Sequence, residues 1–144
     1  MCGIAGYVGD RESADVLVDA LSKLEYRGYD SAGIAVFDHG NIKVKKCKGR
    51  LANLVEKMDE EGKPQGHVGI GHTRWATHGE PSDINSHPHG NKRVTIVHNG
   101  IIENYKKLKD FLIGEGYSFA SETDTEVAAK LLDYYYDGCL LYTS

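Results

Sequence analysis

The sequence predicts an α+β fold with helices stacked on sheet faces. Two observations carry this. Short alternating segments, at 3–9, 33–37, 42–47, 68–73 and 93–98, are interspersed irregularly with segments of helical spacing at 16–24, 51–58, 101–112 and 127–135. One pair of the alternating segments is joined by Asp38-His39-Gly40-Asn41, the turn chemistry of an antiparallel hairpin. A chain of 144 residues is one domain by length and long enough to bury a core, and it contains no internal repeat.

In chain order, Ile4, Gly6 and Val8 fall on one side of a first strand over 3–9. Asp10 stands where it can cap the helix that follows. The buried stripe of that helix is Val16, Leu17, Ala20, Leu21 and Leu24. It stops at the loop Glu25-Tyr26-Arg27-Gly28-Tyr29-Asp30-Ser31-Ala32-Gly33. Strands over Gly33–Phe37 and Ile42–Cys47 form the hairpin. Leu51, Leu54, Val55 and Met58 mark a second helix, ended by the loop 61–66. Val68–Thr73 is a strand. The stretch from Arg74 to Lys92 has no periodicity, and long loops inside compact domains are usually functional. Arg93–His98 alternates as a strand and runs into Asn99-Gly100, then into a helix with Ile101, Ile102, Tyr105, Leu108 and Leu112. Gly114-Glu115-Gly116 turns the chain, and Tyr117–Phe119 reads as a brief strand. Thr123-x-x-Glu126 is a capping box before a last helix carrying Val127, Leu131, Leu132 and Tyr135.

Composition excludes several classes of function. The net charge is −4, and the one basic run, Lys43–Lys48, reads as a solvated strand edge, so nucleic acid is not expected as a partner. The N-terminus lacks a basic stretch followed by an apolar one, so no signal peptide is expected. No apolar run approaches about 18 residues, so no membrane partner is expected. Cysteines at 2, 47 and 139 form no pair motif and leave an odd count, which fits a reducing cytoplasm.

Chemistry begins at the second residue. If Met1 is removed, as a small second residue permits, Cys2 carries a thiol nucleophile and a free α-amine. That amine titrates near about 7.7–8.0 and can accept the thiol's proton. Taken alone, a cysteine after Met reads equally as a small hydrophobe at the start of a strand. Asn99-Gly100 has two readings as well: a hairpin turn, or a strand-to-helix junction. At such a junction the Gly100 N–H and the Asn99 side-chain amide could stabilise an oxyanion. Arg74 beside Trp75 suits bidentate carboxylate recognition or a surface position next to a core aromatic. Asp124, in the first turn of the last helix, either complements the helix dipole or meets a substrate ammonium. Arg74 and Asp124 together describe an α-amino acid site. His78, His87-Pro88-His89 and His98 are a weak ligand signal without paired cysteines or HExxH spacing, so no metal is expected. Cys47 and Cys139 carry no assignment.

Several strings carry a resemblance. They are Cys2-Gly3-Ile4, Glu25-Tyr26-Arg27-Gly28-Tyr29-Asp30-Ser31-Ala32-Gly33, His72-Thr73-Arg74-Trp75-Ala76-Thr77-His78-Gly79-Glu80-Pro81, His87-Pro88-His89, Val97-His98-Asn99-Gly100-Ile101-Ile102-Glu103-Asn104 and Ser121-Glu122-Thr123-Asp124-Thr125-Glu126. The sequence carrying them resembles the class II, N-terminal-nucleophile glutamine amidotransferases. Within that group it is most similar to the glutaminase domain of the glutamine–fructose-6-phosphate aminotransferases (isomerizing), over Met1 to about Tyr136. The resemblance implies a four-layer αββα sandwich with Cys2 at the end of a central strand. It implies that Cys2 is the nucleophile and its α-amine the base, with Asn99 and Gly100 as oxyanion hole. Arg74 would hold the glutamine carboxylate and Asp124 its amino group. Trp75, Thr77 and His78 would line the pocket, with His87 near it, and Arg27-Gly28 would support the Cys2 loop. No cofactor is implied.

The same resemblance implies hydrolysis of glutamine to glutamate and ammonia. The ammonia would serve a sugar-phosphate isomerase domain that converts fructose 6-phosphate to glucosamine 6-phosphate, a precursor of UDP-N-acetylglucosamine, in a cytoplasmic parent that is a homo-oligomer. That domain is not expected within these 144 residues. Residues 1–138 are expected to be a partial glutaminase domain, with its sandwich incomplete at the C-terminal end. Residues 139–144 continue neither helix nor strand and resemble the translation of a sequencing-adapter end, so they are expected to be a non-native tail. The alternatives are the glutaminase domain of an amidophosphoribosyltransferase and a non-catalytic metal- or partner-binding fragment.

Overall fold

The computed structural model describes residues 2–75, 80–136 and 138, the side chain of Arg27 excepted. Four strands form one antiparallel sheet: β1 (Gly3–Val8), β2 (Ser31–Asp38), β3 (Asn41–Lys48) and β4 (Val68–Arg74), in the order β1-β4-β2-β3. Helices α1 (Ser13–Ser22) and α2 (Leu51–Glu61) cover one face. Over the other lies a two-stranded sheet of β5 (His89–Gly90) and β6 (Thr95–Ile96). It is backed by α3 (Tyr105–Gly114) and α4 (Asp124–Tyr135). The layers run helix, sheet, sheet, helix.

The alternation of β2 explains the layering. Ala32, Ile34 and Val36 join Leu17, Leu21, Leu54 and Met58 in one buried cluster under the helices. Each large side chain there contributes about 1.5–3 kcal/mol. Ser31, Gly33 and Ala35 alternate with them on the opposite face and are buried too. These small residues let the second layer approach: a Cβ on Gly33 would stand 2.0 Å from the backbone oxygen of His87. Because that neighbour is backbone, the overlap has no cheap relief. Gly33→Ala is therefore expected to destabilise by about 1–3 kcal/mol. In a thermal melt this reads as a Tm several degrees lower, and an unchanged Tm would mean that the His87 loop has another seat.

Local chemistry misleads at several points. The Ile4, Gly6, Val8 side of β1 is the exposed one, while Ala5 and Tyr7 pack against the core. Asp10 does not cap α1. The N-cap position is Glu12, with no side-chain cap bond among the described residues, and Ser13 N donates to Gly66 O at 2.8 Å. The strand expected over 93–98 shrinks to Thr95–Ile96. Its partner is only His89–Gly90, and the Asn91 carbonyl side chain accepts from Arg93 N and Val94 N to close a turn. Tyr117–Phe119 is not a strand. The helix expected after Gly100 begins at Tyr105, so Asn99-Gly100 is neither a helix start nor a hairpin turn.

The capping box is half made. Thr123 Oγ1 accepts from Glu126 N at 3.3 Å, but the Glu126 carboxylate accepts from Ala120 N, Ser121 N and Ser121 Oγ rather than from Thr123 N. β3 is an edge strand as expected, yet Lys46 is half-buried rather than freely solvated. Its ammonium donates to the carbonyls of Ile84, Ser86 and Pro88 at 3.1, 2.9 and 3.3 Å. The tail read over 139–144 lies outside the described residues. Among the described residues no helix is long and apolar enough to cross a membrane.

Candidate active site

The pairing of β1 with β4 builds one wall. Gly3 stands opposite Thr73, and Gly3 N donates to Thr73 Oγ1 at 3.1 Å. The register brings the residue before β1 beside the residue after β4. Trp75 N donates to Cys2 Sγ at 3.1 Å, and the thiol is free and partly buried. That donor holds the sulfur in place and is aimed at the atom that would carry charge as a nucleophile. Arg74, the last residue of β4, is buried, and its carbonyl accepts from Asp30 N at 2.8 Å.

The second layer supplies the other wall. His87 arrives on the loop held by the Lys46 ammonium, at a cis His87–Pro88 bond. Asp124 opens α4, is buried, and accepts from Ile102 N at 2.8 Å, which ties the segment after Gly100 to the helix. Gly100 has φ 149°, a conformation that strains any residue with a side chain. Cys2, Arg74, Trp75, His87, Gly100 and Asp124 line one cavity of about 270 Å³, completed by His98, Ile101, Thr123 and Thr125.

A buried guanidinium and a buried carboxylate therefore face a partly buried thiol across one space. Burial pushes the Arg74 guanidinium down from its ordinary value, and the charges of Asp30, Cys2 and Asp124 oppose that. Behind the cavity three imidazoles are packed together. His72 stacks on His87 at 4.1 Å between ring centroids, and His89 meets His87 edge-on at 4.8 Å. Burial pushes His72 down to about 4 and His89 to about 3, and it depresses His87 further still. All three are neutral at pH 7. Among the described residues no three His, Cys, Asp or Glu side chains are grouped to hold a metal ion.

Six of the expected catalytic and substrate-binding residues thus share one cavity, with His98 of the weak ligand signal beside them. Asn99 adjoins it, its Oδ1 accepting from His72 Nε2 at 2.7 Å. Gly28 lies behind Trp75, where a Cβ would stand 3.6 Å from the indole. Arg27 closes a 3₁₀ turn over Glu25–Arg27. Thr77 and His78 fall outside the described residues, as does the Arg27 side chain. Sequence reasoning missed Thr123 and Thr125, which flank Asp124, and the contact of His72. A signal for His72 was available: on a strand it shares a face with Arg74 two residues on.

Two solved structures share this architecture. The structure of the allosteric regulatory enzyme of purine biosynthesis superposes with a TM-score of 0.82 at 28% identity, over 99% of this chain and 31% of that one. The glutamine phosphoribosylpyrophosphate amidotransferase from B. subtilis gives 0.80 at 27% identity, with the same coverage. The fold is that of the class II, N-terminal-nucleophile amidotransferases. A model of the glutamine amidotransferase domain matches residues 72–143, and the chain belongs to that family.

Curated relatives named glutamine–fructose-6-phosphate aminotransferase [isomerizing] align over nearly all of the chain. That of Clostridium tetani is 63% identical and that of Clostridium perfringens 64%, each over 98% of this chain. One from Thermus thermophilus is 56% identical over 98%. The chain spans 23–24% of the length of these relatives.

Proposed function

We propose that the chain hydrolyses glutamine to glutamate and ammonia, as the glutaminase part of an enzyme that uses the ammonia to convert fructose 6-phosphate to glucosamine 6-phosphate. One observation carries the first half: the Cys2 thiol shares a cavity with a buried Arg74 and a buried Asp124, a cation and an anion suited to the two charged ends of an α-amino acid. The names of relatives 63–64% identical support the second half. An amidophosphoribosyltransferase reading is less well supported, since the structures sharing that chemistry are 27–28% identical.

In this mechanism Arg74 binds the glutamine α-carboxylate and Asp124 the α-ammonium, which directs the side-chain amide at Cys2. The thiolate attacks the amide carbon, forming a C–S bond. Asn99 Nδ2 and Gly100 N donate to the resulting oxyanion. Ammonia leaves with a proton from the α-ammonium of Cys2, which exists once Met1 is removed. Water then attacks the thioester carbon, the amine taking its proton; the C–S bond breaks to return the Cys2 thiolate, and glutamate departs. Trp75, Thr77, His78 and His87 shape the pocket, and Arg27-Gly28 supports the strand end bearing Cys2. The free thiols of Cys2 and Cys47 fit a cytoplasmic protein, and a homo-oligomeric parent is part of the same reading.

The test is intact mass before and after exposure to 6-diazo-5-oxo-norleucine, a glutamine mimic with an electrophilic carbon. Expected are a chain lacking Met1 and a single adduct that peptide mapping assigns to Cys2. Retention of Met1, or an adduct on Cys47 instead, would overturn the mechanism.

A further inference from the structure

We infer that His72 is a positioning residue for the oxyanion site, its Nε2–H committing Asn99 Oδ1 so that the Asn99 amide presents its NH2 to the reacting centre. This rests on the proposed glutamine hydrolysis with Asn99 as an oxyanion donor.

A carboxamide offers an oxygen on one side and an NH2 of nearly the same shape on the other. In an oxyanion hole only one orientation works, because the flipped amide would aim lone pairs at the developing negative charge. Asn99 lies on an exposed segment between β6 and α3, and among the described residues its carboxamide makes no hydrogen bond besides the one to His72. The choice comes from β4. His72 is 1% exposed and sits two residues before Arg74, on the same face of the strand. Its ring stacks on His87 with an interplanar angle of 15°, which fixes the plane in which its nitrogens lie. In that plane Nε2 meets Asn99 Oδ1 at 2.7 Å.

The tautomer follows from what surrounds the other nitrogen. Nδ1 is buried and has no hydrogen-bond partner among the described residues. A proton there would leave a buried donor unsatisfied and would set the Nε2 lone pair against the amide oxygen. A proton on Nε2 leaves only a weak acceptor unpaired and makes the observed bond. Burial keeps the ring neutral at pH 7, and if it were charged Nε2 would still donate. Oδ1 is therefore occupied in either state. Asp124 acts in parallel on the other side of Gly100 by accepting from Ile102 N, so the oxyanion segment is held from both layers.

The experiment compares His72→Leu, His72→Gln and Asn99→Ala in the full chain. It measures kcat and KM for glutamine hydrolysis together with the rate of Cys2 alkylation by iodoacetamide, a direct substitution that forms no oxyanion. Asn99→Ala is expected to lower kcat by about 10²–10³-fold. His72→Leu is expected to lower kcat by about 10-fold or more, with KM and the alkylation rate within about two-fold of the parent. His72→Gln, whose amide NH2 can replace the imidazole donor, should recover most of the loss. Adding His72→Leu to Asn99→Ala should cost nothing further, since His72 acts only through that amide.

An unchanged kcat in His72→Leu, or hydrolysis and alkylation slowed equally, would overturn the inference. An unchanged kcat in Asn99→Ala would instead overturn the oxyanion reading beneath it. A second measurement does not depend on the variants folding: the ring-nitrogen 15N shifts of His72 in the unaltered chain should report a proton on Nε2, and a proton on Nδ1 would refute the inference.

Discussion

Replacing Cys2 with Ala is expected to abolish glutamine hydrolysis while leaving the fold intact. Removing a covalent nucleophile from a hydrolase costs about 10⁴-fold or more in kcat, because the remaining binding and oxyanion groups have no acyl acceptor to act on. Structurally the change is mild. Cys2 lies before β1, is only partly buried, and loses a hydrogen bond from Trp75 N, a loss of about 1 kcal/mol. The β1–β4 pairing from Gly3 to Val8 does not involve its side chain. Alanine also permits removal of Met1, so the terminal amine stays and the thiol alone is tested. The measurement is ammonia release from glutamine beside a thermal melt. Parent-like turnover in the variant would refute Cys2 as nucleophile, and a binding module built on the same strands would lose nothing.

Acid is expected to unfold this protein well above the range in which paired carboxylates titrate. His72 and His89 fall from an ordinary value of 6.5 to about 4 and about 3 through burial, and His87 moves the same way. Above about pH 7 these imidazoles are neutral in the folded and unfolded chain alike, so stability there is independent of them. As pH falls through 6.5 the unfolded chain takes up protons that the buried stack refuses, and stability drops until the folded values are reached. At about 1.4 kcal/mol for each pKa unit, the stack can remove several kcal/mol by pH 4, a large part of the 5–15 kcal/mol typical of a domain. The urea midpoint should therefore decline between pH 6.5 and 4, ahead of any loss from ion pairs such as Lys57–Asp83 and Arg93–Asp133. A midpoint flat from pH 7 to 4.5 would mean that the three rings are not buried together.

Elements stabilised by their own periodicity were legible from residue spacing alone. The stripe of α2, the hairpin of β2 and β3, the strand β4 and the Thr123 cap of α4 appear where spacing and turn residues place them, whereas α1 packs Ala14, Leu17, Val18 and Leu21 into the core and leaves the expected Val16 and Ala20 out of it. Arg74 and Asp124 were legible as an amino acid site because charge type alone suggests the complement. The failures share a cause. Residues 93–98 alternate as a strand should, yet only Thr95–Ile96 finds a partner, since the ladder length is set by His89–Gly90. Ile101 and Ile102 fit a helical stripe, but the Ile102 N–H is taken by Asp124 and the helix starts three residues later. Lys46 reads as one cation in a solvated run, and the carbonyls that surround it come from residues about forty positions away.

The sequence by itself determined the chemistry available to this protein: a thiol at the second residue, a guanidinium and a carboxylate for a zwitterion, an Asn-Gly pair, and enough amphipathic pattern to specify an α+β fold. Those are properties of residue types and of spacings within one element, and local physics suffices to read them. Only the tertiary structure decided which of these groups meet. The orientation of the Asn99 amide depends on His72, 27 residues away, and the neutrality of three imidazoles depends on burial between two layers. Hydrogen-bond partner and desolvation are set by atoms far apart in the chain, and no local pattern contains them.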